Sequence, residues 1–202
     1  MKFDLVIFDL DGVLVDSTVA ITNTFNQVLK KAGVSANNDR IAEMIGMPLD
    51  MMFERYLPGK GEDCSRMYRE IYGMVCVEGS KLYNGVVETL EYLKSPVLAV
   101  ATTKYSKEAE ILLKGMAIRK YFKFVLGADD VQKPKPNPEV INKMLELTGS
   151  SRNKTSFVGD TTYDILAGKA AGITTIAVTY GFQSKDVLAA AKPDFLIDSL
   201  PE

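Results

Sequence analysis

Six short apolar runs alternate with stretches of helical periodicity, and this alternation constrains the fold more than any other feature. The runs are Leu5–Phe8, Val97–Ala101, Phe124–Gly127, Thr155–Gly159, Thr174–Val178 and Phe195–Ile197. Parallel strands need a helix-length crossover between them, so the pattern predicts βα units around a parallel sheet. The best-marked helix is Pro138–Leu147, with Asn137 as N-cap, Pro138 in the first turn and Gly149 beyond the end. Its Val140, Ile141, Met144 and Leu145 share one face. Thr161–Ala171 reads as a second helix closed by Gly172, whose Ile165, Gly168 and Ala171 suit close packing on a sheet. Between the first two runs lie about 90 residues of a different kind. Phe25, Val28, Leu29 and Ala32 recur at helical spacing, Ile41, Met44 and Ile45 follow, and Gly46-Met47-Pro48 breaks the pattern. Two more helices are expected within Leu49–Tyr56 and Asp63–Val75. A structureless loop of that length is improbable in a compact domain, so residues 16–82 predict a helical insertion. Its methionines, Met44, Met47, Met51, Met52, Met67 and Met74, are expected to fill its core.

Composition excludes whole classes of chemistry. The chain of 202 residues has no histidine, so Ser-His-Asp and Cys-His hydrolases and imidazole-based zinc sites are ruled out. Neither Cys64 nor Cys76 has an arginine six positions on (Glu70 and Leu82 stand there), so the loop of cysteine-dependent phosphatases is missing. No Gly-x-x-x-x-Gly-Lys-Ser/Thr occurs. A net charge of −2 with scattered Lys and Arg gives no footprint for nucleic acid or an anionic membrane. Two cysteines without a metal-like cluster fit a reducing compartment. Met1-Lys2-Phe3-Asp4 runs straight into the first apolar run and reads as no secretory signal, so a cytoplasmic protein is expected. Carboxylate and lysine chemistry with a hard metal is what remains.

The carboxylates sit where such chemistry needs them. Leu5–Phe8 ends in Asp9-Leu10-Asp11-Gly12, placing two acids at the carboxyl end of a strand, where open parallel sheets form their ligand sites. Buried charge there requires compensation, by a cation or a phosphoryl group, although a solvated turn would read the same. Val97–Ala101 runs into Thr102-Thr103-Lys104, and Thr102 can offer a hydroxyl and neighbouring N–H groups to an anion or simply satisfy its own backbone. In Lys133-Pro134-Lys135-Pro136-Asn137-Pro138, three prolines stiffen a loop that either aims one ammonium inward or stays solvated. Thr155–Gly159 leads to Asp160 and, four residues on, Asp164, which share a helix face and can address one cation. N-capping by Asp160 is the local alternative and leaves Asp164 unexplained.

The order of these pieces resembles the haloacid dehalogenase-like (HAD) superfamily: strand-borne Asp-x-Asp, strand-borne Thr, Lys-Pro-x-Pro, then Gly-Asp-x-x-x-Asp. The resemblance runs from Phe3 to about Asp198. It implies an α/β fold, with a Rossmann-like parallel-sheet core of residues 1–15 and 83–202 and a small inserted α-helical cap domain of residues 16–82. It implies that Asp9 is the nucleophile and forms an aspartyl-phosphate. Asp11 would then protonate the leaving oxygen and activate the hydrolytic water. Thr102 and Lys135 would hold the phosphoryl oxygens, Lys135 rather than Lys133 because it directly precedes Pro136-Asn137-Pro138-Glu139. By the same resemblance Mg²⁺ is the cofactor, held by Asp9, Asp160 and the backbone carbonyl of Asp11, with Asp164 a ligand directly or through water.

Among family members the chain looks most like phosphoglycolate phosphatases and related pyrophosphatases or sugar-phosphate phosphatases. Thr103, a substrate-contact position, stands where many of these have Asn. The expected partner is therefore a small phosphorylated molecule. The nearest rival is a phosphomutase of the β-phosphoglucomutase type, against which the Gly-Asp-x-x-x-Asp form argues. A receiver-like phospho-accepting domain is the rival from another class, and it lacks both the helical insertion and Gly-Asp-x-x-x-Asp. Arg40, Arg55, Arg66, Arg69 and Lys81 are the cations of the inserted segment that could meet a charged substrate.

Overall fold

The computed structural model describes residues 2–202. Its main sheet contains β1 (Leu5–Phe8), β4 (Val97–Ala101), β5 (Phe124–Leu126), β6 (Thr155–Gly159), β7 (Thr174–Val178) and β8 (Phe195–Ile197). All neighbours pair in parallel, in the order β5-β4-β1-β6-β7-β8. The predicted α/β class and all six strands are present, with one end trimmed: Gly127 lies just outside β5. Helices α5 (Val86–Tyr92) and α6 (Ser106–Gly115) cover one face of the sheet, packing on Val6, Phe8, Leu98 and Val100. Helices α7 (Glu139–Thr148) and α8 (Thr162–Ala171) cover the other face, against Leu5, Ile7, Ala99 and Phe157. Alternate β1 residues thus serve opposite faces, and the strand reads as continuously apolar because both faces are buried.

Local signals set the helix ends much as expected. Gly149 and Gly172 close α7 and α8 in the left-handed conformation. Asn137 lies one residue further out than expected, with Pro138 at the N-cap, yet its Oδ1 still accepts the Glu139 N–H at 3.0 Å. Gly168 allows α8 to approach β7: a Cβ there would lie 2.5 Å from Thr175 Cγ2.

The topology positions the site. The chain enters the sheet at β1, next to the middle, and later elements add outward on both sides, so connections leave β1 in opposite directions. The carboxyl ends of β4, β1 and β6 therefore lie side by side around a switch point, the usual place for a ligand crevice. Register brings them level, with Phe8 opposite Val100 and Val158.

Residues between β1 and β4 build the helical region. It holds α1 (Thr18–Lys31), α2 (Asn38–Ala42), α3 (Leu49–Glu54) and α4 (Gly61–Val75), entered and left through a short antiparallel pair, β2 (Val15–Asp16) and β3 (Lys81–Leu82). These helices enclose their own apolar cluster, in which Phe25 stacks on Phe53 at 4.0 Å and Tyr68 on Tyr72 at 5.2 Å. Met44 and Met52 are buried there and Met47 and Met67 pack against it, as expected. Met51 and Met74, by contrast, are exposed on the outer faces of α3 and α4. The last helix, α9 (Lys185–Ala190), buries Leu188 against Ile165 and Ala177.

Candidate active site

The site forms at the three adjoining strand ends. Asp9 follows β1 directly and its N–H donates to the Val158 carbonyl at 2.9 Å, continuing the strand pairing by one residue. The turn after it doubles back, with Gly12 N–H donating to Val15 O and Val15 N–H to Leu10 O. Gly12 has φ +83°, and a Cβ there would fall 2.1 Å from Asp160 Oδ2. A Cβ at Gly181 would likewise meet that oxygen at 2.4 Å. Two glycines thus let backbone close around Asp160, which follows β6 and accepts the Phe182 N–H at 2.7 Å.

Lys135 reaches this cluster from the proline-rich loop. Glu139, in the first turn of α7, accepts the Gln132 and Lys133 N–H groups at 2.8 and 3.0 Å and pins the loop to the helix. Lys133 is left exposed, whereas Lys135 is only 2% exposed. The Lys135 ammonium lies 2.6 Å from Asp164 Oδ1, 3.0 Å from Asp9 Oδ1 and 3.2 Å from the Ala101 carbonyl. One cation therefore ties the ends of β1 and β4 to the first turn of α8. Asp164 Oδ2 accepts both the N–H and the hydroxyl of Thr161, at 3.0 and 2.6 Å. Both Asp164 oxygens are thus engaged within the protein.

Three buried carboxylates face one ammonium. Oxygens of Asp9, Asp160 and Asp164 all lie within 4.8 Å of one another. Burial pushes the Asp9 carboxyl up to about 7: Lys135 opposes the rise and the Asp164 and Asp11 charges add to it. Asp160 is raised well above the carboxylate range, by burial first and then by Asp164 and Asp9. Burial alone would lower Lys135, but Asp164 and Asp9 outweigh it and raise it. Asp160 Oδ1 is buried without a hydrogen-bond partner, and Asp9 Oδ1 has the ammonium nearby but no well-directed hydrogen bond. Three carboxyls whose charged forms burial and mutual repulsion disfavour, one with an orphaned oxygen, fit a hard divalent cation such as Mg²⁺, which takes oxygen ligands.

The other candidates lie at the edge of this cluster. Thr102 is buried beyond β4, and its hydroxyl accepts the Lys104 N–H at 3.2 Å. Asp11 turns its side chain toward the helical region, accepting Ser17 Oγ–H at 2.5 Å on Oδ1 and lying 3.2 Å from the Lys104 ammonium through Oδ2. Beyond Asp11 a cavity of about 320 Å³ opens between the helical region and the sheet's end. Asp11, Thr103, Lys104 and Glu108 line it from one side, and Ile21, Met52, Ser65 and Tyr68 from the other. Of the five cations noted in the inserted segment, Arg69 lines the cavity and stacks over the Tyr105 ring at 4.2 Å. Ser17 and Lys104 are the residues that sequence reasoning passed over. Ser17 stands at an N-cap position, where a capping role is the natural reading, and Lys104 carries no sequence signal beyond ending the strand-exit triplet Thr102-Thr103-Lys104.

A parallel sheet with buried carboxylates, a threonine and a buried lysine at its switch point is a site suited to phosphoryl-group chemistry. Residues 6–178 match the family model described as haloacid dehalogenase-like hydrolase. The chain belongs to that family, and it is an enzyme of the phosphatase kind. It is 38% identical over 98% of its length to the probable phosphatase IndB of Dickeya dadantii, covering 90% of that protein. It is 32% identical over 96% of its length to the phosphoglycolate phosphatase of Salmonella typhi, covering 88% of it. The solved structure of a haloacid dehalogenase-like family hydrolase from Streptococcus pneumoniae superposes with a TM-score of 0.90 at 28% identity, covering 98% of this chain and 95% of that one. Among the described residues, no helix is long and apolar enough to cross a membrane.

Proposed function

We propose that this protein is a Mg²⁺-dependent phosphatase that hydrolyses a small phosphomonoester, phosphoglycolate-like or a sugar phosphate, through an aspartyl-phosphate on Asp9. The observation that carries this reading is the buried Lys135 ammonium set against Asp9 and Asp164, beside the unpartnered oxygen of Asp160. Asp9, Asp160 and the backbone carbonyl of Asp11 would hold the metal, with Asp164 behind them. When bound, Mg²⁺ would neutralise charge on the phosphoryl group and on the acids.

Asp9 attacks phosphorus, the bond to the leaving oxygen breaks, and Asp11 gives that oxygen its proton. Asp11, now a carboxylate, takes a proton from water, which displaces Asp9 and releases phosphate. Lys135 and Thr102 hold the phosphoryl oxygens, and Thr103 borders the leaving group. Phosphoryl transfer depends mainly on such positioning and charge neutralisation. Residues 16–82 act as a cap that closes over the leaving group and excludes water; their separate apolar cluster supports this division. The reduced cysteines, both free and buried, are compatible with a cytoplasmic enzyme.

The test is phosphate release with Mg²⁺ from a panel of 2-phosphoglycolate, sugar phosphates, nucleotides and pyrophosphate, with Asp9→Asn as control. Release from one substrate class, lost in the control, is the expected outcome. Silence across the panel with bisphosphate-dependent isomerisation of a sugar phosphate would make the enzyme a mutase. A long-lived phosphoprotein without turnover would make it a receiver.

A further inference from the structure

Lys104 is a buried cation for which the proposed chemistry has no task. Its side chain is only 7% exposed, its ammonium lies 3.2 Å from Asp11 Oδ2, and it sits 4.0 Å from the centre of the Tyr72 ring. Asp11 belongs to the loop after β1, Lys104 follows β4, and Tyr72 lies on α4 in the helical region. The same ammonium therefore touches the core's second aspartate and the far wall contributed by the inserted helices. Glu108, from the first turn of α6, and Tyr68, from α4, also favour the charged Lys104 ammonium.

Stability does not account for this arrangement. A buried ion pair is seldom more stabilising than apolar side chains of the same volume. A methionine would fill the space under Tyr72 without desolvating a charge. Ser17 points the same way: it occupies the N-cap of α1, yet makes no capping bond and gives its hydroxyl to Asp11 instead. Both oxygens of Asp11 are thus gripped, by Ser17 from the chain entering the helical region and by Lys104 from the core.

We propose that Lys104 is a positioning residue that holds the Asp11 carboxylate in its acid–base geometry and, through the Tyr72 ring, makes that geometry depend on α4 being seated against the core. The inference rests on the assignment of Asp11 as acid and base. It also gives Lys104 a role other than anchoring an anionic group of the substrate, since its charge is already engaged.

Leaving-group dependence separates these roles. Alkyl phosphates (glycerol 3-phosphate, ribose 5-phosphate, 2-phosphoglycolate) need a proton on the departing oxygen, whereas p-nitrophenyl phosphate departs as a stable anion. kcat/KM with Mg²⁺ reports that first step. Lys104→Met should lower kcat/KM for the alkyl phosphates by about 10- to 100-fold, a part of the 10²–10⁴ that removing an acid–base group costs. For p-nitrophenyl phosphate the loss should stay below about threefold on the same reasoning. Lys104→Arg should recover part of the loss, and inhibition by inorganic phosphate should be unchanged. Tyr72→Leu should show the same selectivity more weakly while Tyr72→Phe, which keeps the ring, stays near wild type. This pair carries the test if Lys104→Met does not fold.

Equal losses on alkyl and aryl substrates, or no loss, would overturn the proposal. A loss confined to 2-phosphoglycolate would overturn it in favour of Lys104 as an anion anchor. Asp11→Asn sets the reference: if it lacks the alkyl-selective signature, the acid assignment falls and the proposal with it. Absence of Asp9-dependent phosphate release from every substrate is the separate failure of the phosphatase reading.

Discussion

The strand-end cluster and the cavity beneath α4 are built on opposite principles. At the ends of β1, β4 and β6, Asp9, Thr102 and Asp160 directly follow hydrogen-bonded sheet, and the cluster is fixed by register, glycines and one shared ammonium. The cavity is walled by side chains from α1, α3 and α4 on one side and strand-exit residues on the other, held by an aromatic stack and a cation over a ring. The backbone sets the geometry of the first region. The second can change its lining without disturbing the sheet. On the proposed function the difference separates chemistry, on the rigid strand ends, from selection, in the inserted layer, with the proposed Tyr72–Lys104 contact joining the two.

The harshest way to test that division is to remove the proposed nucleophile. Asp9→Asn should abolish measurable phosphate release while leaving the secondary structure intact by circular dichroism. Retained turnover would place the chemistry elsewhere. Next in size, Asp11→Asn should cost about 10²–10⁴-fold in kcat, the usual range for a lost acid–base group. A loss as complete as that of Asp9→Asn would mean that Asp11 is structural to the cluster rather than its neighbour.

The two regions also differ in how far sequence revealed them. Asp9, Thr102 and Asp160 directly follow apolar runs, Lys135 lies within a proline-stiffened loop and Asp164 stands one helical turn beyond Asp160, so their places could be read from local pattern alone. Even there, local and functional roles were exchanged. N-capping was the local alternative for Asp160, but Asp164 takes the local task by binding Thr161, and Asp160 keeps the free oxygen. Nothing near Lys104 in sequence marks it as buried, because its partners Asp11 and Tyr72 arrive from distant segments. Met51 and Met74 mislead for the opposite reason: helical spacing gives a periodicity but not which side of a short helix faces outward.

A smaller effect contrasts the regions through proton and metal linkage. In metal-free protein the folded-state Asp9 carboxyl lies near 7 against an ordinary 3.8. A carboxyl raised on folding stabilises the protein below its unfolded value, and that stability is lost as pH climbs through the folded one. In chelator, then, stability should fall by up to a few kcal/mol between about pH 4 and pH 7. Saturating Mg²⁺ at neutral pH should restore it, raising Tm by roughly 5–10 °C for ligand near a hundredfold over its Kd. Asp160→Asn should remove the Mg²⁺ response. A pH-independent Tm in chelator would mean that burial does not raise the Asp9 carboxyl, and no shift at millimolar Mg²⁺ would mean that the three carboxylates are not the cation site.

The smallest effects should come from the cations of the inserted segment, where the structure separates five residues that the sequence left equivalent. Arg66 pairs with Asp63 and Lys81 with Asp16, each with an exposed cation, and such pairs contribute little. Arg40 and Arg55 do not line the cavity. Alanine at any of these four should leave kcat and KM within about twofold and stability within about 0.5 kcal/mol. Arg69 differs because its guanidinium spans from α4 to the Tyr105 ring on the core side. Cation–π contacts at such half-exposed positions are worth about 0.5–1 kcal/mol, enough to bias closure of α4 by a few-fold. Arg69→Ala should therefore raise KM about two- to fivefold with kcat nearly unchanged, because the strand-end cluster is untouched. A fall in kcat instead would mean that Arg69, like the Tyr72 ring proposed to hold Lys104 beside Asp11, couples α4 to the acid–base step rather than to substrate capture.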